Sequence, residues 1–516
     1  MAAGYFLRWN WNDPKDIISR GRAALSDADI IIVGSGIGGA TLAAGLAQSG
    51  LRILILERGK RLTDCPEARD ADAIFARGHF RPDETWLTPD GKRFNPGNYS
   101  CVGGNSKFYG AVMMRYREAD FAPIRHMGGA TPGWPFGYDT LAPWYDRAEV
   151  LYQVRGDATR DPTEPPRAAN YSYPPVPHEP AVADLDRRLT SVGLHPAPLP
   201  LALDLDRWLA RAPTPWDAFP DTAGGKLDAE TAALAQALRY PNVTLKTGIR
   251  VDRLEAQGDR ITAVGTSAGR FTAPRIVLAA GAVHTAVLLL QSANEDHPRG
   301  FANRSDQVGR NFMNHNASAL LALSGRRNRS VYQKTLHIND WYLTGGPNGE
   351  PLGNVQLLGR VSGSILAAQS GLPGPVANMI AARAMDFYVM SEDLPRPESR
   401  VTLKGAEIVL DWRRSNWRAH QRLVRTFKRA LRRAGYPVAL SKPFDRSTPS
   451  HQCGTARLGV NPATSVTDPF GRCHDHPNLW ICDASLLPTS AAVNPSLTIA
   501  ALALRQADRL KEEVTK

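Results

Sequence analysis

The chain has 516 residues, 43% of them hydrophobic, which exceeds what one core usually supports and predicts two domains. Its formal charge of +12 comes from 62 Lys and Arg scattered among 50 Asp and Glu with no basic arm, which argues against a nucleic-acid partner. Five cysteines (Cys65, Cys101, Cys453, Cys473, Cys482), odd in number and without metal-ligand spacing, point to a reducing compartment, and no run reaches the ~18 apolar residues of a membrane span.

The N-terminus carries Trp9, Trp11 and Asp13 where a signal peptide would need an apolar core, so a cytoplasmic location is expected. Ile30-Ile31-Ile32-Val33 is a continuous apolar run of the kind that forms a buried parallel strand, and it leads into Gly34-Ser35-Gly36-Ile37-Gly38-Gly39. A helix is expected from Ala40 to Gln48, then a second strand from Arg52 to Leu56 ending at Glu57. In such a unit Gly34 makes the tight turn, Gly36 lets the backbone approach a pyrophosphate, and Gly39 lets helix and strand pack closely. The helix N-terminus attracts the phosphate charge, and an acid such as Glu57 can bond a ribose hydroxyl. Glu57 argues against a 2′-phosphate, with Arg58 beside it as a counter-signal. Strand, glycines, helix, strand and acid in this order predict an adenine dinucleotide site, but do not separate FAD from NAD.

A second glycine cluster, Cys101-Val102-Gly103-Gly104-Asn105-Ser106-Lys107-Phe108-Tyr109-Gly110, would let the main chain pass close to a planar ring or form an ordinary loop. Beyond it lies a Pro- and Asp-rich stretch read as loops with short helices, whose Trp134, Trp144, Trp208 and Trp216 read as packing residues ahead of substrate platforms. Val243 to Leu254 and Arg260 to Val264 read as a strand hairpin. Ile276 to Ala282 is an apolar strand running into a small-residue turn at Ala280, followed by a helix from Val283 to Leu290, on which His284 reads as packed. His315 reads as a structural hydrogen-bonding residue.

Alternating runs at Ala319 to Leu323 and Asn354 to Val361 predict an antiparallel sheet, and Val401 to Leu403 with Glu407 to Asp411 a hairpin. Ser370 to Pro375 reads as a loop. Arg413 to Arg433 reads as a helix with Leu423, Phe427 and Leu431 on its inner side and Arg on a solvated face. In the last block, His451 stands in His-Gln-Cys-Gly-Thr, a strand from Leu479 ends at Asp483-Ala484, and Asn494-Pro495-Ser496 opens a helix whose positive end could favour an anionic reduced cofactor. A hydroxyl gives up hydride readily only while losing its proton, and imidazole is the base with a suitable pKa. Among twelve histidines only His451 has such a setting. His474 and His476, beside Cys473, supply too few ligands for a metal, and none is expected.

These four blocks, in this order, resemble the glucose-methanol-choline (GMC) family of flavin oxidoreductases from about Asp27 to Leu510. Gly133-Trp134-Pro135-Phe136 through Glu149 and Val308 through His315 add to the likeness. Gly281-Ala282-Val283-His284 and the pairing of His451 with Asn494 look most like the pyranose-oxidase branch, whereas Thr285-Ala286 replaces the Ser-Pro of its alcohol oxidases. The resemblance implies an α/β fold: a Rossmann-like FAD-binding domain (1–130, 225–315, 446–516) and a discontinuous α+β substrate domain on an antiparallel sheet (131–224, 316–445). It also implies that His451 accepts a proton, that Asn494 orients the substrate oxygen over flavin N5, that Val251 meets adenine and that Asp483 lies near the ribityl chain. Phe108 occupies the place where some relatives carry a histidine that attaches the flavin, so FAD is expected to be noncovalent. The implied partners are a sugar, glycoside or polyol and an external acceptor, oxygen or a quinone-like carrier. A non-sugar alcohol, a flavin-bound lyase and, more remotely, an NAD dehydrogenase are the alternatives.

Overall fold

In a computed structural model, residues 28–211, 214–448 and 451–514 are described; Trp9, Trp11 and Asp13 lie outside them. The strand Ile30–Val33 forms where expected because four β-branched residues in a row suit a position covered on both faces, and all four are buried. It sits at the middle of a five-stranded parallel sheet in the order 243–247, 53–57, 30–33, 275–278, 479–481. The helices Ile37–Leu46 and Ser496–Val514 pack against each other; a Cβ on Gly45 would lie 2.6 Å from the Ala507 methyl. Helix Tyr138–Leu151, longer than the short helices expected there, is tied to the C-terminal helix by Tyr145 Oη with Thr498 Oγ1 at 2.7 Å and by Trp144 Nε1 donating to Asp508 at 3.0 Å. Trp134, Trp208 and Trp216 are buried, in keeping with packing.

The hairpin read over 243–264 is divided. Val243–Thr247 joins the edge of the parallel sheet, Gly248 at φ +71° turns the corner, and Val251–Gln257 then pairs with Arg260–Thr266 and, through it, Gly269–Phe271. Composition could not mark the division, because both halves have strand propensity; the left-handed glycine between them was the available signal.

The antiparallel sheet has six strands in the order 438–443, 316–323, 384–391, 354–357, 336–338, 196–198. Its period-2 alternation gives it two different faces. Leu320, Val355, Leu357, Phe387 and Val389 pack on the helix Trp417–Arg433 through Leu423, Phe427 and Leu431. The opposite face carries Asn354, Gln356, Asp386 and Tyr388. The hairpin Arg400–Lys404 with Glu407–Asp411 forms as read, but in a different sheet: Val401 and Leu410 pack with Val283, Val287, Trp86 and Phe312 against the helix Ala282–Gln291. Ser370 ends one helix and Gly374 begins the next, so the loop read there shrinks to a tight turn. Among the described residues no helix is long and apolar enough to cross a membrane.

Leu423 is fully buried between helix and sheet. Leu423→Ala should lower the stability of this layer by about 2–5 kcal/mol, the range for a large-to-small core change. A urea titration followed by tryptophan fluorescence measures it, and a midpoint equal to the parent's would contradict this packing.

Candidate active site

The three glycine-rich turns meet at the carboxyl ends of the parallel strands. Gly34, at φ +105°, leaves no room for a side chain, because a Cβ there would collide with the Ala279 carbonyl oxygen. Gly39 packs against Gly34 and Ile32 as expected. Gly38, to which sequence reasoning gave no role, is equally constrained, since a Cβ would strike the Cys482 carbonyl. Gly36 differs: nothing lies within 4 Å of its Cβ position, and Gly104 of the second cluster stands across that space, its own Cβ direction 3.7 Å from Gly36 Cα. The helix Ile37–Leu46 has no side-chain cap and no acid in its first turn. Open space over a glycine, facing an uncapped helix N-terminus, fits a diphosphate and hence FAD.

The surrounding side chains hold this cradle in shape. Glu57 accepts from Ser35 N at 3.0 Å, Ser35 Oγ at 2.7 Å and Gly59 N at 2.8 Å, while Ser35 Oγ accepts from Gly103 N at 3.1 Å. The first and second glycine turns are thereby joined through one hydroxyl. Arg58 pairs with Glu84, as does His284, at 3.2 and 2.7 Å. Burial opposes the charge on Glu84, but these partners and Trp86 outweigh it and bring its pKa to about 2. His284 is therefore a packed residue, as expected.

Three side chains of the second cluster are used for structure. Asn105 Oδ1 accepts from Tyr99 N at 2.7 Å, Ser106 Oγ donates to Gly103 O at 2.7 Å, and Tyr109 Oη donates to Leu227 O at 2.7 Å. Phe108 stacks on Tyr99 with ring centroids 3.6 Å apart. Val251 follows the segment in which Ile249 N donates to Glu57 O at 2.9 Å, at the same end of the sheet. Asp483 accepts from Gly281 N at 2.9 Å, Thr285 Oγ1 at 2.5 Å and Ser485 N at 2.8 Å, and burial raises its pKa. It fastens the Ala280–Gly281 turn to the last strand.

His451 lies outside the regular elements, at φ +61°. The segment after it is placed by backbone bonds from Gly454 N to Ala484 O at 3.1 Å and from Ala456 N to Ser485 O at 2.9 Å. Its Nε2 is 3.1 Å from Asn494 Nδ2, so the two residues singled out in the sequence are brought together. Its Nδ1 is 2.7 Å from His315 Nδ1, and His315 Nε2 is 2.9 Å from Ser490 O.

That carbonyl decides the protons of the whole line. A carbonyl only accepts, so His315 Nε2 carries hydrogen. Burial pushes the His315 pKa down to about 4, so the ring is neutral and its Nδ1 is an acceptor. His451 Nδ1 must then donate to it, which leaves His451 Nε2 unprotonated as the acceptor, and Asn494 Nδ2 donates to that nitrogen. Asn494 Oδ1 in turn accepts from Gln356 Nε2 at 2.9 Å. Burial, followed by His315 and the Lys334 charge, holds the His451 pKa well below the usual 6.5.

His315 thus does the structural hydrogen bonding expected of it and also touches His451. Gln356 and Lys334 were not singled out; a polar residue alternating with Val355 and Leu357 was the signal for Gln356. Pro495 O accepts from Ile499 N at 2.9 Å, so the helix from Ser496 begins directly behind Asn494.

Residues 29–305 match the family model described as FAD dependent oxidoreductase, and residues 395–503 the one described as GMC oxidoreductase. This chain belongs to the GMC oxidoreductase family. It is 30% identical to 6'''-hydroxyparomomycin C oxidase of Streptomyces lividus over 92% of this chain and 90% of the relative. It is 29% identical to paromamine 6'-oxidase of Streptomyces fradiae (93% and 90%) and 27% to 2-methyl-1,2-propanediol dehydrogenase of Mycolicibacterium austroafricanum (93% and 94%). The solved structure of pyridoxine 4-oxidase from Mesorbium loti shares the fold, with a TM-score of 0.64 and 21% identity over 94% of this chain and 99% of that one. The chain is an FAD-dependent oxidoreductase acting on CH–OH donors.

Gly36→Ala should leave the apoprotein folded and lower its FAD content, whereas Gly38→Ala should destabilise the fold itself. The ratio of 450 nm to 280 nm absorbance, read beside a thermal melt, separates the two. His315 and His451, whose pKa values are depressed by burial, stabilise the fold fully above about 6.5, the pKa of unfolded histidine, and lose that contribution as pH falls below it. Melting temperature should accordingly fall on acidification from pH 7 to pH 5.

Proposed function

We propose that this enzyme oxidises a hydroxyl of a sugar, glycoside or polyol to a carbonyl, with His451 as the base and Asn494 as the residue that orients the reacting oxygen. The observation that carries this is the 3.1 Å approach of His451 Nε2 to the Asn494 amide, at the end of a hydrogen-bonded line that begins on the Ser490 carbonyl and assigns that nitrogen as an acceptor. A substrate hydroxyl that displaces this direct contact and sits within hydrogen-bond reach of both groups donates its proton to His451 Nε2 and accepts from Asn494 Nδ2, which fixes both the oxygen and the direction of its C–H bond. Bound FAD supplies the hydride acceptor, and an external acceptor, oxygen or a quinone-like carrier, takes the electrons onward. His451 Nδ1–H, held by His315, keeps the ring from turning as it takes up the proton.

Support for a hydroxyl-bearing substrate comes from the relatives, two named as oxidases of paromamine and of 6'''-hydroxyparomomycin C and one as a dehydrogenase of 2-methyl-1,2-propanediol. We assign the cradle to residues 1–130, 225–315 and 446–516 and the substrate-facing part to 131–224 and 316–445; Gln356 and Tyr388 come from the latter and reach Asn494 and the His451 ring. Noncovalent FAD is supported by Phe108, which has no nucleophile to offer.

The test is anaerobic mixing with a panel of sugars and alcohols while the flavin absorbance is followed. Bleaching supports the reading, and turnover with the band intact would point to a lyase instead. His451→Ala should lower the reduction rate by ~10²–10⁴-fold with FAD retained. His315→Leu, which abolishes the proton order, should lower it by roughly 10-fold or more, up to the ~10⁴ seen when a triad histidine takes the wrong tautomer. His315→Gln, which can still donate to Ser490 O and accept from His451, should recover most of the loss. Because the His451 pKa is depressed, the parent's reduction rate should hold level as pH falls from 9 through 6.5.

A further inference from the structure

A buried ion pair beside the second glycine cluster is not used by the chemistry described above. Lys334 Nζ lies 2.8 Å from Asp217 Oδ2, with side chains only 7% and 15% exposed. Asp217 Oδ2 also accepts from Gly359 N at 2.8 Å. Both of these bonds fall on Oδ2; among the described residues no hydrogen-bond donor is assigned to Oδ1. The pair abuts the second glycine cluster, for a Cβ on Gly110 would lie 2.6 Å from Asp217 Oδ1 and 2.6 Å from Lys334 Nζ. The Lys334 charge also contributes, after burial and His315, to holding the His451 pKa down. The neighbouring residues are aromatic: Trp216 and Tyr332 stack at 5.5 Å with 5° between ring planes.

The pair presents a carboxylate oxygen without an assigned donor and an ammonium with further N–H groups, beside the second glycine cluster and close in sequence to the stacked Trp216 and Tyr332. A gauche vicinal diol matches such a pair, one hydroxyl donating to the carboxylate and its neighbour accepting from the ammonium. We propose that Asp217 and Lys334, backed by the Trp216–Tyr332 stack, form a subsite for two adjacent hydroxyls other than the one oxidised. The substrate is on this basis a polyhydroxylated ring, a pyranose or pyranoside, selected against monofunctional alcohols. This rests on the proposed reading that His451 and Asn494 receive an alcohol.

The experiment compares the anaerobic flavin-reduction efficiency of D-glucose and methyl β-D-glucopyranoside with that of cyclohexanol, in the parent holoenzyme and in Asp217→Asn and Lys334→Gln. The ratio of sugar to cyclohexanol efficiency should fall at least ~10-fold in each variant, expressed mainly as a higher half-saturating sugar concentration, as expected when charged hydrogen-bond partners are lost. Asp217→Glu, which keeps the charge, should recover part of it, and flavin spectra and melting curves report whether each variant is folded. An unaltered ratio, including equal losses for sugar and cyclohexanol, overturns the subsite while the assignment of His451 stands. A parent enzyme reduced by cyclohexanol but by neither sugar also overturns it. If none of the three alcohols reduces the parent, both the reading and the subsite fall.

Discussion

The site depends on one backbone carbonyl. Ser490 O accepts from His315 Nε2 at 2.9 Å and from Tyr116 Oη at 3.0 Å, so both of its lone pairs are taken by donors. Its peptide partner is held too, with Ala491 N donating to Glu392 Oε1 at 2.9 Å. A peptide group fixed on both edges cannot rotate to offer a donor in place of an acceptor. The protonation of two imidazoles and the orientation of one carboxamide follow from that constraint, and with them the presence of a usable base. The electrostatics agree: burial disfavours imidazolium at both histidines, so the neutral line is the stable one.

This arrangement also explains why strain is tolerated here. His451 and Ala491 both hold positive φ, at +61° and +52°, an unfavourable backbone for residues with a Cβ. Each lies next to a polar contact that a relaxed backbone would break: His451 between His315 and Asn494, Ala491 at the carboxylate of Glu392. The surrounding bonds over-determine these conformations, as with the antiparallel bridge between Met313 and Cys453 that holds the histidine segments side by side.

The cradle was legible because its signals are local. A four-residue apolar strand, a glycine turn and an acid at the end of the next strand are each read within a few residues, whereas the backbone that crowds Gly34 and Gly38 comes from Ala279 and Cys482, far along the chain. For Asn105, Ser106 and Tyr109 the fold adds what residue type could not give, the partners Tyr99, Gly103, Ala229 and Leu227 that some of their polar atoms hold. His451 and Asn494, proposed here as base and orienting partner, were legible as a pair 43 residues apart through resemblance to a family, and the fold brings them to 3.1 Å. His315, 136 residues before His451, is in contact with it only because two distant segments bridge at Met313 and Cys453.

Asn494 is held from the substrate side by a further line of amides. Gln356 Nε2 donates to Asn494 Oδ1 at 2.9 Å and to Asn354 Oδ1 at 3.1 Å, Asn354 Nδ2 donates to Asn339 Oδ1 at 2.7 Å, and Asn339 Nδ2 donates to Asp161 Oδ2 at 2.7 Å. Asp161 is paired with Arg117 at 2.5 Å and with His337 at 3.0 Å. Every amide in this line points its donors toward the site's far end or toward Asn494 in a fixed order, because a carboxylate at one terminus accepts and never donates. The orientation of Asn494 is thus set twice, by the Ser490 carbonyl through the imidazoles and by the Asp161 carboxylate through the sheet. Two acceptors at opposite ends of one hydrogen-bonded path leave the Asn494 amide no alternative flip, and the polar face of the antiparallel sheet acquires a purpose that burial alone would not give it.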